Sequence, residues 1–486
     1  VSTGTPLLSI LNLSFRYPEY PGLAARSLFS DLNLELPRGC TGLLLAKPDF
    51  GKTTLCRILA GLVPRFSGGE LEGRILMGAL ELLHRRPYEL LEEVGLVFQN
   101  PGEQLFLSRC DSEVAFALES LAVSREDIEK RIRNALAELG LEAYRGRNPH
   151  TLSGGEKKKL LIACILAVDP RLWLLDETLE ELDADTKDKL MALLGRRNRT
   201  ALILSAKWHD LFRNRVSDVF LLEEVGISKI RQKPGSRGFH ELLVEKGFVL
   251  PEEKLKKPSQ ETEPHGVEPI LEATDIEFHY ETGGQGEGRP FRLAVEELRL
   301  YPGRTAALVG GNGSGKSTLA RILCGLLAPR RGSIRIREGK ELGPADRAVL
   351  HRFTGYLFQD PDLQIFLPTI FEELSLGLRQ MALDAEEIKR RIERAAGLFH
   401  LPDTETPPSL MSYGARKRLQ AAVYYLLDRP LVIIDEGDSG LGVNDFAEMV
   451  RIFQKPDCSL LFITHDQRLA GVLADRVLYL SEGRLV

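Results

Sequence analysis

The sequence predicts an α/β fold laid down twice. Three observations carry that prediction. Residues Gly310 to Thr318 read GGNGSGKST, between an apolar run and a helical pattern, and Ala46 to Thr54 read AKPDFGKTT in the same setting. Matching features recur at a nearly fixed offset, 264 between Lys52 and Lys316, 260 between Gln99 and Gln359, and 259 for both Ser153/Ser412 and Glu177/Glu436. In each half an apolar run ends in two acids, Asp176–Glu177 and Asp435–Glu436. Self-similarity over a whole domain length means duplication and fusion, not a solenoid of short units.

Each half opens on short alternating segments that read as strands. In the second half Ala306 to Val309 is a buried strand, and Thr318 to Leu327 has helical apolar spacing. Between them every fixed position of G-x-x-x-x-G-K-[ST] is filled, from Gly310 to Ser317. Gly310, Asn312, Gly313, Ser314 and Gly315 let backbone N–H groups turn inward on a polyphosphate, and the helix N-terminus adds its positive dipole end. Lys316 should reach the β- and γ-phosphates, Ser317 should bind Mg²⁺, and Thr318 continues the motif.

The first loop is eroded. Ala46 replaces the first glycine, Pro48 removes an amide donor and Asp49 brings a negative charge, while Gly51, Lys52, Thr53 and Thr54 remain. A carboxylate ~4 Å from a phosphate costs on the order of 1 kcal/mol in water and about 4 at intermediate effective dielectric. Lys47 could offset part of that. Weakened or altered nucleotide binding is expected there, rather than none.

A mostly helical stretch, such as Glu126 to Leu139, follows the loop helix. Then Leu172 to Leu175 and Leu431 to Ile434 read as buried strands that place their acid pairs at the C-terminal edge of a parallel sheet. The first acid of each pair, Asp176 or Asp435, suits Mg²⁺ coordination, directly or through water. The second, Glu177 or Glu436, suits polarising a water for attack on a γ-phosphate.

Domains are expected at 1–250 and 269–486. The linker 251–268 is rich in Lys, Glu and Pro. A net charge of −5 gives no global basic field for nucleic acid. No apolar run approaches 18 residues, and the N-terminus has no basic-then-apolar signal segment. Cys40, Cys56, Cys110, Cys164, Cys324 and Cys458 are scattered without a C-x-x-C pair, as expected of buried thiols in a reducing compartment.

LSGGEKKKL, Leu152 to Leu160, resembles the signature of ABC ATPases, and the resemblance covers nearly the whole chain twice. It implies two P-loop nucleotide-binding domains, each with a mostly parallel core sheet, an antiparallel β subdomain and a helical subdomain. They would pair head to tail, with ATP and Mg²⁺ between one domain's phosphate loop and the other's signature. Ser153 and the Gly154 and Gly155 amides, at a helix start that Glu156 also caps, would then donate to the γ-phosphate.

The resemblance further implies that Gln359 and Gln99 sense metal or water, and that Tyr280 and Tyr17 stack on adenine. It also makes Asp183 and the histidine His465 part of the machinery. The second half departs at the signature, with Ser412–Tyr413, and has Gly442 where the first has Asp183. The first half has Ala206 where the second has His465, leaving open whether His209 substitutes.

By the head-to-tail rule one composite site takes Lys316, Gln359, Glu436 and His465 with Ser153 and Asp183, all intact. The other takes the AKPDFGKTT loop and Ala206 with Ser412–Tyr413 and Gly442, all altered. Random drift would scatter such losses. One hydrolytic and one degenerate site are expected; Glu177 survives in the latter, which leaves slow hydrolysis there open.

FQNPGEQLF (Phe98 to Phe106) and FQDPDLQIF (Phe358 to Phe366) resemble the ATPases of energy-coupling-factor and cobalt or nickel importers. Asp111 to Glu119 and Glu372 to Leu378 fit the groove that receives coupling helices in that group. The implied partners are integral membrane subunits, a coupling-helix donor and a substrate-binding component, with the chain on the cytoplasmic face of the membrane. A tandem ATPase acting on the ribosome is the alternative, but that class usually has two intact signatures and a longer charged linker. A DNA-repair ATPase would need long heptad segments, and the sequence has none.

Overall fold

The computed structural model describes residues 6–19, 27–180, 182–195, 199–224, 226–251, 264, 266–280, 291–337, 341–342 and 346–486. The chain divides into two compact units, Val1–Val249 and Leu250–Val486. Most of the expected linker 251–268 lies outside the described residues.

In the first unit, Val-, Ile- and Leu-rich runs form a six-stranded sheet. Its order is Gly226–Lys229, Asp218–Glu223, Thr41–Ala46, Thr200–Ser205, Leu172–Asp176, Val94–Val97. Every pairing is parallel except that of Gly226–Lys229. The central strands are buried on both faces, which explains why they read as continuous apolar runs rather than alternating ones. Period-two geometry divides their side chains. Leu43, Leu45, Trp173, Leu175 and Ile203 face a core shared with the helices. Leu44, Ala46, Leu172, Leu174 and Leu204 face a core shared with a four-stranded antiparallel sheet. That sheet runs Ser27–Pro37, Pro6–Arg16, Glu70–Met77, Leu80–Glu81.

The second unit repeats the plan. Its six strands are Thr354–Leu357, Leu431–Asp435, Ser459–Ile463, Thr305–Val309, Arg476–Ser481 and Arg484–Leu485. Its antiparallel sheet is Leu293–Leu300, Leu271–Phe278, Arg331–Ile336, Glu341–Leu342. The helix after the intact loop is Lys316–Leu323, shorter than the expected Thr318 to Leu327. Gly325 at φ 79° takes the chain out of helical conformation there.

Helical segments complete each unit. Arg125–Glu138 starts on Ser124 and Ala385–Leu398 on Asp384, each side chain accepting from a backbone N–H one turn on. The first unit carries a further helix, Arg237–Lys246, after its last strand. Phe239 and Leu243 of that helix are buried, and the Phe239 ring meets Trp208 edge-on at 4.8 Å between centroids. Among the described residues no helix is long and apolar enough to cross a membrane.

Candidate nucleotide sites

In the second half the loop leaves the strand at Val309 and enters the helix at Lys316. Two of its glycines are required. A Cβ on Gly310 would lie 2.2 Å from the Leu480 carbonyl oxygen, and Gly315 sits at φ 105°, where only glycine is unstrained. A Cβ on Gly311 or Gly313 would meet nothing within 4 Å, so the loop is open on that side. Asn312 and Ser314 complete the turn. The Ser314 hydroxyl is buried without a hydrogen-bond partner among the described residues, an orphan donor suited to an anion.

Lys316 is buried and donates to the Gly310 and Gly311 carbonyls, both at 2.9 Å. Burial pulls its pKa down, opposed by the charges of Glu436 and Asp435. Ser317 Oγ donates to Asp435 Oδ1 at 3.0 Å. This hydroxyl–carboxylate pair, beside an open loop, is a donor set that fits Mg²⁺. Tyr280 places its hydroxyl 3.1 Å from Thr318 Oγ1, and its ring is 46% exposed. It stands at the surface rather than in the core.

The strand Leu431–Asp435 ends in a turn that holds Glu436 at φ 48°. A non-glycine residue in that region stores on the order of 1–3 kcal/mol of strain. Glu436 N donates to Ile463 O at 3.1 Å, and Lys417 Nζ donates to Glu436 O at 2.7 Å. The carboxylate so presented accepts from Gln359 Nε2 at 2.8 Å on one oxygen and lies 3.1 Å from His465 Nε2 on the other. One unit therefore brings together Tyr280, Gly310–Thr318, Gln359, Asp435, Glu436 and His465.

The first half has the same frame with different wiring. Glu177 sits at φ 47°, but its carboxylate pairs with Lys52 at 3.3 Å and accepts from Ala206 N at 3.1 Å. Lys52 also donates to the Ala46 and Lys47 carbonyls, at 2.8 and 3.0 Å. Gln99 is half-buried, and Lys158 Nζ donates to its backbone carbonyl. Asp176 is buried beside Thr53, yet neither carboxylate oxygen has a hydrogen bond of normal geometry. Gly51, at φ 88°, precedes the helix Lys52–Leu59. The Tyr17 hydroxyl lies 2.8 Å from Thr54 Oγ1.

His209 pairs with Glu180. Its Nε2 lies 3.2 Å from Glu180, and Lys207 Nζ donates to the same carboxylate at 2.8 Å. It is half-buried.

Ser153 is exposed and caps the helix Gly154–Val168, and its backbone N donates to the Glu156 carboxylate at 2.8 Å; Gly155 is buried. Asp183 accepts from Thr186 N at 2.7 Å and lies 3.4 Å from Lys159 Nζ. Ser412 caps Tyr413–Leu427, but Tyr413 folds its hydroxyl back onto the Gln359 carbonyl at 2.9 Å. Sequence reasoning missed Glu180, Lys207, Lys417 and Tyr356. Comparing the two halves at the repeat offset would have exposed Tyr356, because Leu96 stands 260 residues before it.

The ABC transporter family profile matches residues 29–180 and 294–439. A proposed ABC transporter ATP-binding protein of Methanosarcina acetivorans is 31% identical over 530 residues, covering 99% of this chain and 85% of that protein. YkoD of Bacillus subtilis, for which a role in HMP/thiamine import is proposed, is 29% identical over 508 residues, covering 98% and 90%. Among solved structures, a model of ribosome-bound archaeal Pelota and ABCE1 aligns over 98% of this chain and 78% of its own, with TM-score 0.65 and 17% identity. The RNase-L inhibitor aligns over 98% and 90%, with TM-score 0.60 and 18% identity. At those identities the likeness is one of fold. Profile and sequence relatives both cover the two halves, so the chain belongs to the ABC transporter family and is a tandem ABC ATPase.

Proposed function

We propose that this chain is the ATP-hydrolysing subunit of an energy-coupling-factor-type importer of a vitamin, vitamin precursor or metal ion. One ATP site is productive and one degenerate. The observation that carries the asymmetry is the pair of carboxylates. Glu436 is bracketed by Gln359 and His465, groups able to hold a water and take up a proton. Glu177 is neutralised by a lysine.

In the proposed reaction Lys316 exchanges its loop carbonyls for the β- and γ-phosphates. Glu436 accepts a proton from the attacking water, His465 and Gln359 orient that water, and Tyr280 packs on the base. Ser317 and Asp435, with Gln359, would hold Mg²⁺, which would supply charge neutralisation on the phosphates. Ser153, Gly154, Gly155 and Asp183 complete this site through head-to-tail pairing of the two domains, each side being 1–250 or 269–486. The first-half set of Tyr17, Gly51, Lys52, Thr53, Thr54, Gln99, Asp176 and Glu177, with Ser412, forms the degenerate seat.

The importer reading is supported by the twin glutamine-loop strings. Gln364 accepts from Phe358 N and donates to Tyr356 O, and Gln104 does the same with Phe98 and Leu96. Buried Glu113 and Glu373 then receive the next backbone amides. Braced this way, Phe106, Phe116, Leu363 and Phe366 stand exposed. Such surface suits amphipathic helices of a membrane subunit. The name given to YkoD agrees. Docking there places the chain at the cytoplasmic face of the membrane.

The test is fractionation of cells expressing the tagged chain. Co-purification with integral membrane subunits from solubilised membranes, abolished by Phe106→Asp with Phe366→Asp, is expected. Sedimentation with ribosomes instead would favour the translational class and overturn the proposal.

A further inference from the structure

One buried polar group of the second half is not used by the chemistry above, the Tyr356 hydroxyl. It lies in the strand Thr354–Leu357, which pairs in parallel with Leu431–Asp435. The side chain is 4% exposed, and its ring meets Phe358 edge-on at 4.8 Å. The hydroxyl donates to Asp435 Oδ2 at 2.6 Å, while Ser317 donates to Oδ1 at 3.0 Å. With one donor on each oxygen, rotation of the carboxylate, otherwise soft, is fixed. Arg321 interacts with both the Tyr356 hydroxyl and Asp435.

The repeat supplies an internal comparison. Leu96 occupies the matching strand position in the first half and has no hydroxyl. There both Asp176 oxygens lack a hydrogen bond of normal geometry. Arg57, the counterpart of Arg321 at the 264 offset, turns outward to Glu103 at 2.6 Å and over the Phe98 ring. Leu363 stands where Glu103 would be. The tyrosine and the held carboxylate occur together, in the half whose loop is intact.

We propose that Tyr356 is a positioning residue for the divalent cation that accompanies the nucleotide. It locks Asp435 so that Oδ1 stays directed at Ser317, the hydroxyl with which it would hold the metal. The inference rests on the reading of the second half as the productive Mg²⁺–nucleotide site and deepens it.

The test uses the full chain with Tyr356→Phe, which keeps the ring and its packing. Mn²⁺ binding in the presence of a non-hydrolysable ATP analogue is followed by electron paramagnetic resonance. Binding of the same analogue in chelator is followed by fluorescence. We expect Mn²⁺ affinity to fall about 10-fold, the lower end of the range for losing an outer-shell partner, with metal-free nucleotide binding unchanged. Leu96→Met, at the matching first-half position, should change neither. Unaltered Mn²⁺ affinity in Tyr356→Phe would overturn the inference. So would an equal loss of metal-free binding, which would make Tyr356 a support of the pocket alone. A wild-type chain that binds no analogue would instead remove the site reading on which the inference stands.

Discussion

The lysine of each phosphate loop stands differently toward the proposed catalytic carboxylate of its half. Lys52 is 7% and Glu177 4% exposed at the side chain, and they face each other at 3.3 Å. Lys316 makes the same two loop-carbonyl bonds as Lys52, but Glu436 takes its contacts from Gln359 and His465. Removing one partner of a buried pair costs roughly 3–5 kcal/mol, because the other charge is stranded. Lys52→Met should therefore lower the urea midpoint of the first unit. Burial already pushes the Glu177 pKa well up, and loss of the lysine raises it further. Between the ordinary glutamate pKa and that raised value, stability falls as pH rises. The loss should accordingly be smaller at pH 5 than at pH 8, and a loss independent of pH would show that Glu177 is not left buried and charged. Lys316, Glu436 and His465 were legible as residues because their motifs are local strings. The Lys52–Glu177 pair was not, since it joins residues 125 apart through a fold that sequence alone does not position. Glu180 was missed for the same reason: its partners Lys207 and His209 lie on another strand's exit loop.

At the scale of elements, both acid pairs sit at the end of a strand buried on every residue, Leu172–Asp176 and Leu431–Asp435. The apolar run forces the strand inside, and the left-handed residue after it turns the carboxylate out at the sheet edge. That much was readable from apolar runs ending in acids. What was not readable is how the two faces of each strand divide between a helical core and an antiparallel-sheet core, because a run apolar on both faces carries no alternation. Nor was the packing of Arg237–Lys246, which the sequence left as mixed composition closing the first domain. Its Phe239 is 1% exposed and abuts Trp208, and Trp208 N donates to Phe248 O at 3.2 Å. The helix thereby covers the loop carrying Ala206, Lys207 and His209. Phe239→Ala should destabilise the first unit by about 3–5 kcal/mol, read by chemical denaturation, and should make amide exchange of residues 206–212 faster. Unchanged exchange there would mean the helix is not what holds that loop.

At the scale of the whole molecule, duplication let one copy of each part diverge. The first unit keeps the exposed Ser153 cap with its Glu156 return bond; the second replaces Gly154 by Tyr413, tied to its own Gln359 carbonyl. Under the proposed head-to-tail pairing, Ser153 serves the productive pocket and Ser412 the degenerate one. Ser153→Arg should then depress ATPase turnover far more than Ser412→Arg, and the reverse order would break the pairing. The segregation of losses was visible in the sequence, whereas the carboxylate wiring that gives it chemical meaning arises only in the fold. The most direct test of one productive pocket built on the second-half loop compares Glu436→Gln with Glu177→Gln in a steady-state ATPase assay. Turnover should fall about 10²-fold or more for Glu436→Gln, as for loss of a general base, and far less for Glu177→Gln. Equal losses, or a greater loss for Glu177→Gln, would contradict it.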